Sequence, residues 1–314
     1  MKKKMIVLTG PTAVGKTDLS IRLAKAVWGE IISADSMQVY RRMDIGTAKI
    51  KKEEMNGVRH HLIDILEPTE SFNAFLFKEY ALKAANEIWE RGMIPIIVGG
   101  TGFYIQTLLY DIEFADSDEN DGIRDELNRL YEEHGAGYMH DLLAKVDPEY
   151  AAEVHENNVK KVIRAIEFFR QTGQKMSEHN VEQRERTSPY NFEYFVLSDD
   201  RAVLYERIDR RIDKMLEEGL VDEVRRLLDE GVERGCVSMQ GLGYKEIAAY
   251  LAGEISLDEA VYILKRDTRH FAKRQLTWFR REKDVNFVRL DELGSRDAAF
   301  EYMLDALRKK NIIE

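Results

Sequence analysis

What this sequence has little of narrows it first. There is one cysteine, Cys236, in 314 residues, so no internal disulfide can form and nothing argues for secretion. No apolar run approaches the length of a membrane span, and no membrane partner is expected. The opening MKKKMIVLTG has the positive charges of a signal peptide without its apolar length. Pro11 and Gly15 interrupt it, so residues 5–8 read as a first β-strand. These absences leave a soluble cytoplasmic protein as the expectation. Positive charge is also in deficit, with 47 Lys and Arg against 57 Asp and Glu, a formal net charge of −10. That sum does not exclude a nucleic-acid partner, because binding needs only one clustered basic face. The charge is uneven: acidic residues crowd 111–121 and basic ones crowd 265–283. Internal repeats and low-complexity tracts are missing too.

What is present is a chain with 44% hydrophobic residues, enough for two domains or for one with a large insertion. Helix-period patterns alternate with short apolar runs, which predicts an α/β protein. A strand over 5–9 enters GPTAVGKT (10–17), and a helix follows from Lys16 with Leu19, Leu23, Ala26 and Val27 on one face. Gly29 is expected to end that helix, and Ile31-Ile32 to begin a strand that finishes at Ser33-Ala34-Asp35-Ser36. Another buried strand, Ile94-Pro95-Ile96-Ile97-Val98, runs into Gly99-Gly100-Thr101-Gly102. Such runs predict a parallel sheet covered by helices on both faces. Ligands of these sheets collect at the carboxyl ends of the strands. The loop 10–17, Asp35 and Thr101 therefore share one rim.

The acidic segment 111–121 reads as a linker, and the residues after it, to about Tyr190, read as helix only. Asp121 is placed to cap a helix with Ile123, Leu127 and Leu130 inward, which Gly135 and Gly137 end. Asp147-Pro148 has the cap-then-proline form of another start. A helix over 158–171 turns Val159, Val162, Ile163, Ile166 and Phe169 one way and Lys160, Lys161 and Arg164 the other. Residues 187–189 break the pattern, and 192–197 reads as a strand returning to the sheet. The expected organisation is a P-loop NTPase-like core, 1–114 plus 191–314, interrupted by an all-helical insertion domain, 115–190. A short strand and a terminal helix follow residue 284.

The stretch GPTAVGKT fits the spacing G-x-x-x-x-G-K-[ST], with a strand before it and a helix after it. Backbone of Gly10, Thr12, Ala13, Val14 and Gly15, aided by the helix N-terminus, would cradle phosphate oxygens. Lys16 adds a point charge, and the Thr17 hydroxyl is placed to ligate Mg²⁺. Asp35 is open to three readings: a metal-associated acid, a general base, or an ordinary cap or turn. Gly99-Gly100-Thr101-Gly102 lets backbone approach a ligand closely, and equally suits a plain strand-to-helix turn. Strand 94–98 ends in glycines rather than in the acid that usually completes the Mg²⁺ site of a P-loop NTPase, which weakens an ATPase reading. His60-His61 point to opposite faces of a strand and so cannot easily chelate one ion. Of Arg207, Arg210 and Arg211, two are expected merely to solvate their helix while one reaches the rim.

On a helical wheel over 258–283, Val261, Leu264, Phe271, Ala272 and Phe279 share one arc. Arg266, Arg269, His270, Lys273, Arg274, Thr277, Arg280 and Arg281 fill the opposite arc, with Trp278 at its margin. A one-sided basic arc beside an aromatic suits a nucleic-acid backbone with a stacking option.

Five blocks now stand in order: GPTAVGKT, SADSMQVY (33–40), GGTGFY (99–104), QGLGYKEI (240–247) and TRHFAKRQLTWFR (268–280). Together they resemble the tRNA dimethylallyltransferases, over nearly the whole chain to about residue 283. The resemblance implies transfer of a dimethylallyl group from dimethylallyl diphosphate to N6 of the adenosine just 3′ of the tRNA anticodon. It implies Mg²⁺ as cofactor, Asp35 as base and Thr101 beside the reacting centre. Lys16, Thr17 and Arg211 would hold the diphosphate. Contacts to tRNA would come from Asp35, Ser36, Met37, Gln38, Thr101, Arg124, Lys160, Lys161 and Arg164, and from Lys273, Arg274, Gln275, Thr277, Trp278 and Arg280. A monomer is the expected state. One departure stands out: where the family commonly has Asn-Pro-Gln-Arg, this chain has Asn158-Val159-Lys160-Lys161. A planar guanidinium and an amide are lost there, so phosphate contacts are expected rather than base-specific ones. The alternative is a small-molecule or nucleoside kinase in which the loop holds ATP and Asp35 activates a hydroxyl; it leaves the basic arc unexplained.

Overall fold

The apolar run at the start of the chain becomes β1 (Lys4–Thr9), with Met5, Ile6, Val7 and Leu8 all fully buried. After it come α1 (Lys16–Val27), β2 (Gly29–Ser33), β3 (His60–His61), α2 (Ala74–Glu90), β4 (Ile94–Gly99) and α3 (Gly102–Leu109). Helices α4 (Ile123–Val146), α5 (Pro148–Glu153), α6 (Val159–Thr172) and α7 (Met176–Glu185) are followed by β5 (Asn191–Ser198). The chain closes with α8 (Arg201–Glu217), α9 (Leu220–Asp229), α10 (Tyr244–Leu251), α11 (Leu257–Phe279), β6 (Val285–Arg289), α12 (Leu290–Leu293) and α13 (Arg296–Lys309). This is a computed structural model, and it describes residues 2–113 and 122–314. The Asp121 cap and most of the acidic segment lie outside the described residues.

Every strand pair is parallel, in the order β3-β2-β4-β1-β5-β6. β1 is internal, with Thr9 opposite Gly99 of β4 on one side and Val196 of β5 on the other. That register brings the carboxyl ends of β2, β4 and β1 side by side. The α/β, helix-flanked parallel sheet read from the apolar runs is the observed fold. Two local expectations are corrected. Trp28 closes α1 in the left-handed region (φ 55°), its N–H on the Ala24 carbonyl, and Gly29 is already the first residue of β2. Ala24, not Ala26, fills the inner face of α1.

The chain separates into two compact units, one made of Met1–Leu109 and Pro189–Glu314, the other of Tyr110–Ser188. Among the described residues the second unit contains helices only. Its core is Leu127, Met139, Leu143, Val162, Ile163 and Ile166. α4 is broken rather than ended by glycine, with non-helical backbone at Gly135 (φ 82°, ψ −178°). Two buried carboxylates organise the rest. Glu167 receives Arg124 Nε at 2.8 Å and Arg164 Nη1 at 3.0 Å. Asp147, 1% exposed, caps α5 through the N–H of Tyr150 (3.0 Å) and binds Ser177 by its N–H (2.8 Å) and hydroxyl (2.7 Å). No described helix is long and apolar enough to cross a membrane.

Burial pushes the Asp147 pKa up, but the bonds from Ser177 and Tyr150 outweigh it and hold the pKa below its ordinary value. Asp147→Ala should therefore cost about 1–3 kcal/mol of stability near neutrality, measured by urea unfolding. A group with a lowered folded-state pKa stabilises above the carboxylate range. The deficit of the variant should accordingly shrink as pH falls through that range.

Candidate active site

Three turns meet at the rim. The Ala34 N–H donates to the Val98 carbonyl at 2.8 Å, and the Thr101 N–H donates back to the Ala34 carbonyl at 3.2 Å. The Thr9 hydroxyl binds the Gly99 carbonyl at 2.6 Å. These bonds fix the turns after β1, β2 and β4 against one another, and so fix the residues they carry. The loop after β1 takes left-handed φ at Gly10 (142°), Ala13 (63°) and Gly15 (100°). Alternating hand is how a short loop turns its N–H groups toward a common centre.

Lys16 is half-buried, and its ammonium donates to the carbonyls of Gly10 and Pro11, both at 2.9 Å. Burial, then the charge of Arg211, pushes its pKa down to about 7, with Asp35 pulling the other way. Arg211, on α8, is thus an electrostatic neighbour of both residues. Its side chain is partly solvent-exposed, and burial of the guanidinium lowers its pKa against the pull of Asp35, yet a guanidinium stays charged. Its two companions are spent locally, Arg207 on Asp199 at 2.7 Å and Arg210 on Glu206 at 2.8 Å. Asp35 does serve as a turn residue, since Oδ1 accepts the N–H of Met37 (2.8 Å) and of Gln38 (3.3 Å). Its Oδ2 accepts from no described protein group, and the hydroxyls of Thr17 and Thr101 are unengaged as well. The turn reading and a chemical role are compatible, because they use different oxygens.

α11 borders this rim. Lys273, Arg274, Thr277, Trp278, Arg280 and Arg281 are exposed, and none of the four cations pairs with a carboxylate among the described residues. With His270, most of them line an open cleft of about 370 Å³. A second cleft, about 510 Å³, lies along Lys273 and Arg280 beside Ser198, Tyr205 and Phe287. Lys16 and Asp35 line neither. Two members of the expected basic arc drop out: Arg266 is bound to Asp267 at 2.8 Å and Arg269 to Asp209 at 2.7 Å. Gln275, expected among the tRNA contacts, is 6% exposed and turned inward. It follows Ala272 by three positions and precedes Phe279 by four, which puts it on the buried arc.

Residues 38–282 match the family description "IPP transferase", and 3–71 match "Isopentenyl transferase". The tRNA dimethylallyltransferase of Lachnoclostridium phytofermentans is 57% identical over 310 residues, 99% of each chain. That of Bacillus licheniformis is 54% identical, covering 90% of each. Among solved structures, a full-length tRNA isopentenylpyrophosphate transferase from Bacillus halodurans superposes with a TM-score of 0.75 at 45% identity, covering 98% of this chain and 97% of its own. A eukaryotic dimethylallyltransferase acting on tRNA gives 0.85 at 31% identity, covering 99% and 79%. The chain belongs to the IPP transferase family.

In this IPP transferase the insertion residues divide. Lys160 and Lys161 are exposed on α6, whereas Arg124 and Arg164 are both engaged by Glu167. Sequence reasoning missed two contributors and gave a third another role. Tyr104, whose pKa is raised far above the ordinary value mainly by burial and then by Tyr40 and Asp35, stacks on Phe77 at 4.7 Å between centroids. It lies in the GGTGFY block, which was the only signal. Glu223 on α9, 3% exposed, accepts the N–H groups of Asp44, Ile45 and Gly46 at 2.8–3.0 Å and the Tyr244 hydroxyl at 2.7 Å. The Gln38 amide in turn hangs on the Thr47 carbonyl at 3.2 Å. Nothing in the periodicity of α9 marks that partner. Gln275 is the third.

An anion arriving at the loop favours the charged form of Lys16, so binding should take up a proton once pH passes about 7. The affinity for inorganic diphosphate should fall above that pH by up to about tenfold per unit. Lys16→Arg should remove this part of the slope, which titration calorimetry across pH 6–9 (a range chosen to span about two units above the shifted value) would show.

Proposed function

We propose that this chain transfers a dimethylallyl group from dimethylallyl diphosphate to N6 of the adenosine just 3′ of the anticodon of tRNA, releasing diphosphate. The observation that carries the reading is the joining, by bonds from Ala34, Thr101 and Thr9, of the turns that bear the phosphate loop, Asp35 and Thr101, with the charges of Lys16, Arg211 and Asp35 influencing one another there, in a relative of the tRNA dimethylallyltransferases. Two cations suit a leaving group that gains negative charge, and one carboxylate with an unused oxygen suits the removal of a proton. The N6 lone pair is delocalised into the adenine ring, so the electrophile must be strong. As the C1–O bond breaks, its electron pair goes to the diphosphate. N6 bonds to C1, and the N6 proton goes to Asp35. The loop N–H groups, Lys16 and Arg211 stabilise the developing anion from fixed positions. Thr101, on the turn bonded to that of Asp35, supplies a hydroxyl at the reacting centre.

The donor set at the loop is hard oxygen: the unengaged Thr17 hydroxyl and the incoming phosphate oxygens, which suits Mg²⁺. Bound there with Thr17, the ion would neutralise part of the charge on the diphosphate. The target base must leave its stack to reach Asp35, and Ser36, Met37 and Gln38 are the residues beside it. The exposed cations of α11, with Lys160 and Lys161 of the helical unit, supply salt-dependent phosphate contacts. A tRNA substrate suits a cytoplasmic protein, and the expected site residues all come from one chain, which suits a monomer.

Offered unmodified tRNA with either prenyl-labelled dimethylallyl diphosphate or γ-labelled ATP, the protein should label RNA from the first and not from the second. Asp35→Ala should slow transfer by roughly 10²–10⁴-fold with RNA affinity near that of the parent. Transfer from ATP alone would overturn the reading, and loss of RNA binding in the variant would reassign Asp35 to recognition or folding.

A further inference from the structure

Gln275 sits among the cations of α11 but faces the protein. Its two ends are spent on two turns of the rim. Oε1 accepts the N–H of Thr12 in the phosphate loop at 2.9 Å, and Nε2 donates to the carbonyl of Gly100 at 2.9 Å. The fit is close: a Cβ on Gly100 would stand 2.2 Å from Nε2. By taking Thr12, the amide braces the loop while leaving the N–H groups of Ala13, Gly15, Lys16 and Thr17 for a ligand.

Two further grips act with it. Trp278 lies against Gly102, where a Cβ would stand 2.2 Å from the indole Cδ1, and meets Phe103 edge-on at 6.2 Å. Arg269 binds both oxygens of Asp209, at 2.7 and 2.8 Å, and Lys265 pairs with Asp213 at 2.5 Å. Those two acids flank Arg211 on α8. The inner side of α11 therefore touches the phosphate loop, the Thr101 turn and the Arg211 helix, and its outer side carries the unpaired cations. A polyanion that loads the outer side loads a strut whose inner side sets the diphosphate site.

We propose that Gln275 is a positioning residue through which RNA engaged on α11 raises the affinity of the phosphate loop for diphosphate, and diphosphate raises the affinity for RNA by the same factor. The proposal rests on the functional reading above, with α11 as an RNA face. It separates from a merely structural role. A brace with no coupling would weaken diphosphate binding equally with and without RNA, whereas a coupling residue changes the ratio of the two affinities.

The test titrates inorganic diphosphate with Mg²⁺ into the full chain, with and without saturating unmodified anticodon stem-loop RNA. In the parent protein RNA should tighten diphosphate about 5- to 150-fold. In Gln275→Met, which keeps length and loses both hydrogen bonds, that factor should fall toward one, with RNA affinity alone near that of the parent. Gln275→Glu retains the acceptor for Thr12 but not the donor to Gly100; it should lose coupling too and gives the answer if the methionine variant does not fold. Absence of coupling in the parent, or a parental factor in the variants, overturns the proposal while the functional reading stands. A large loss of RNA affinity without diphosphate would make Gln275 an RNA contact and overturn it as well. Failure of the parent to bind either ligand would overturn the functional reading, and this inference with it.

Discussion

The charge of Arg211 works against that of Lys16 at the mouth of β1, and burial compounds the cost. A second cation near a half-buried one is unfavourable unless an anion shares the place. Asp35 pulls the other way without restoring Lys16 to its ordinary pKa. An anion is therefore favoured beside Lys16, and the sheet and its turns hold these groups in place. In the proposed reaction a diphosphate would supply that anion, and the same cations would stabilise the charge that its departure develops.

The backbone provides the means. Neighbouring parallel strands deliver three turns to one edge, and bonds from Ala34, Thr101 and Thr9 join those turns before any side chain acts. Around them stand two anchors with little exposure. Glu223 gathers three successive N–H groups and a tyrosine hydroxyl, fixing the loop that continues from Asp35. Gln275 ties the phosphate loop to the turn of Thr101. An unpaired buried polar group costs about 1–3 kcal/mol, so each anchor is a strong constraint on where its loop can lie.

How much of this could be read from the chain depends on range. β1, α1 and the phosphate loop were legible because periodicity and glycine spacing are local signals, and Asp147-Pro148 announced α5 in the same way. Gly29 misled because glycine usually follows a helix, whereas here Trp28 accepts the left-handed position itself. Gln275 misled for a different reason. The family resemblance put it among the tRNA contacts, while its place on the wheel with Ala272 and Phe279 agrees with its burial. Arg269, Arg124 and Arg164 counted as open cations until acids 60, 43 and 3 residues away were seen to engage them. Glu223 lies 177 to 179 residues from the N–H groups it gathers. Composition cannot show which charges are already spent, since that is decided by pairing in three dimensions, both near in sequence, as for Arg164, and far, as for Arg269.

On the proposed function the phosphate loop holds the group that departs, and the bond that breaks lies one atom beyond the phosphorus. An isotope measurement reads this directly. Dimethylallyl diphosphate carrying ¹⁸O in the C1–O–P bridge would be consumed with tRNA, and both products weighed by mass spectrometry. The account predicts that the heavy oxygen leaves with the diphosphate and that the RNA gains only the hydrocarbon. Heavy oxygen in the RNA, or phosphate transferred with it, would contradict it.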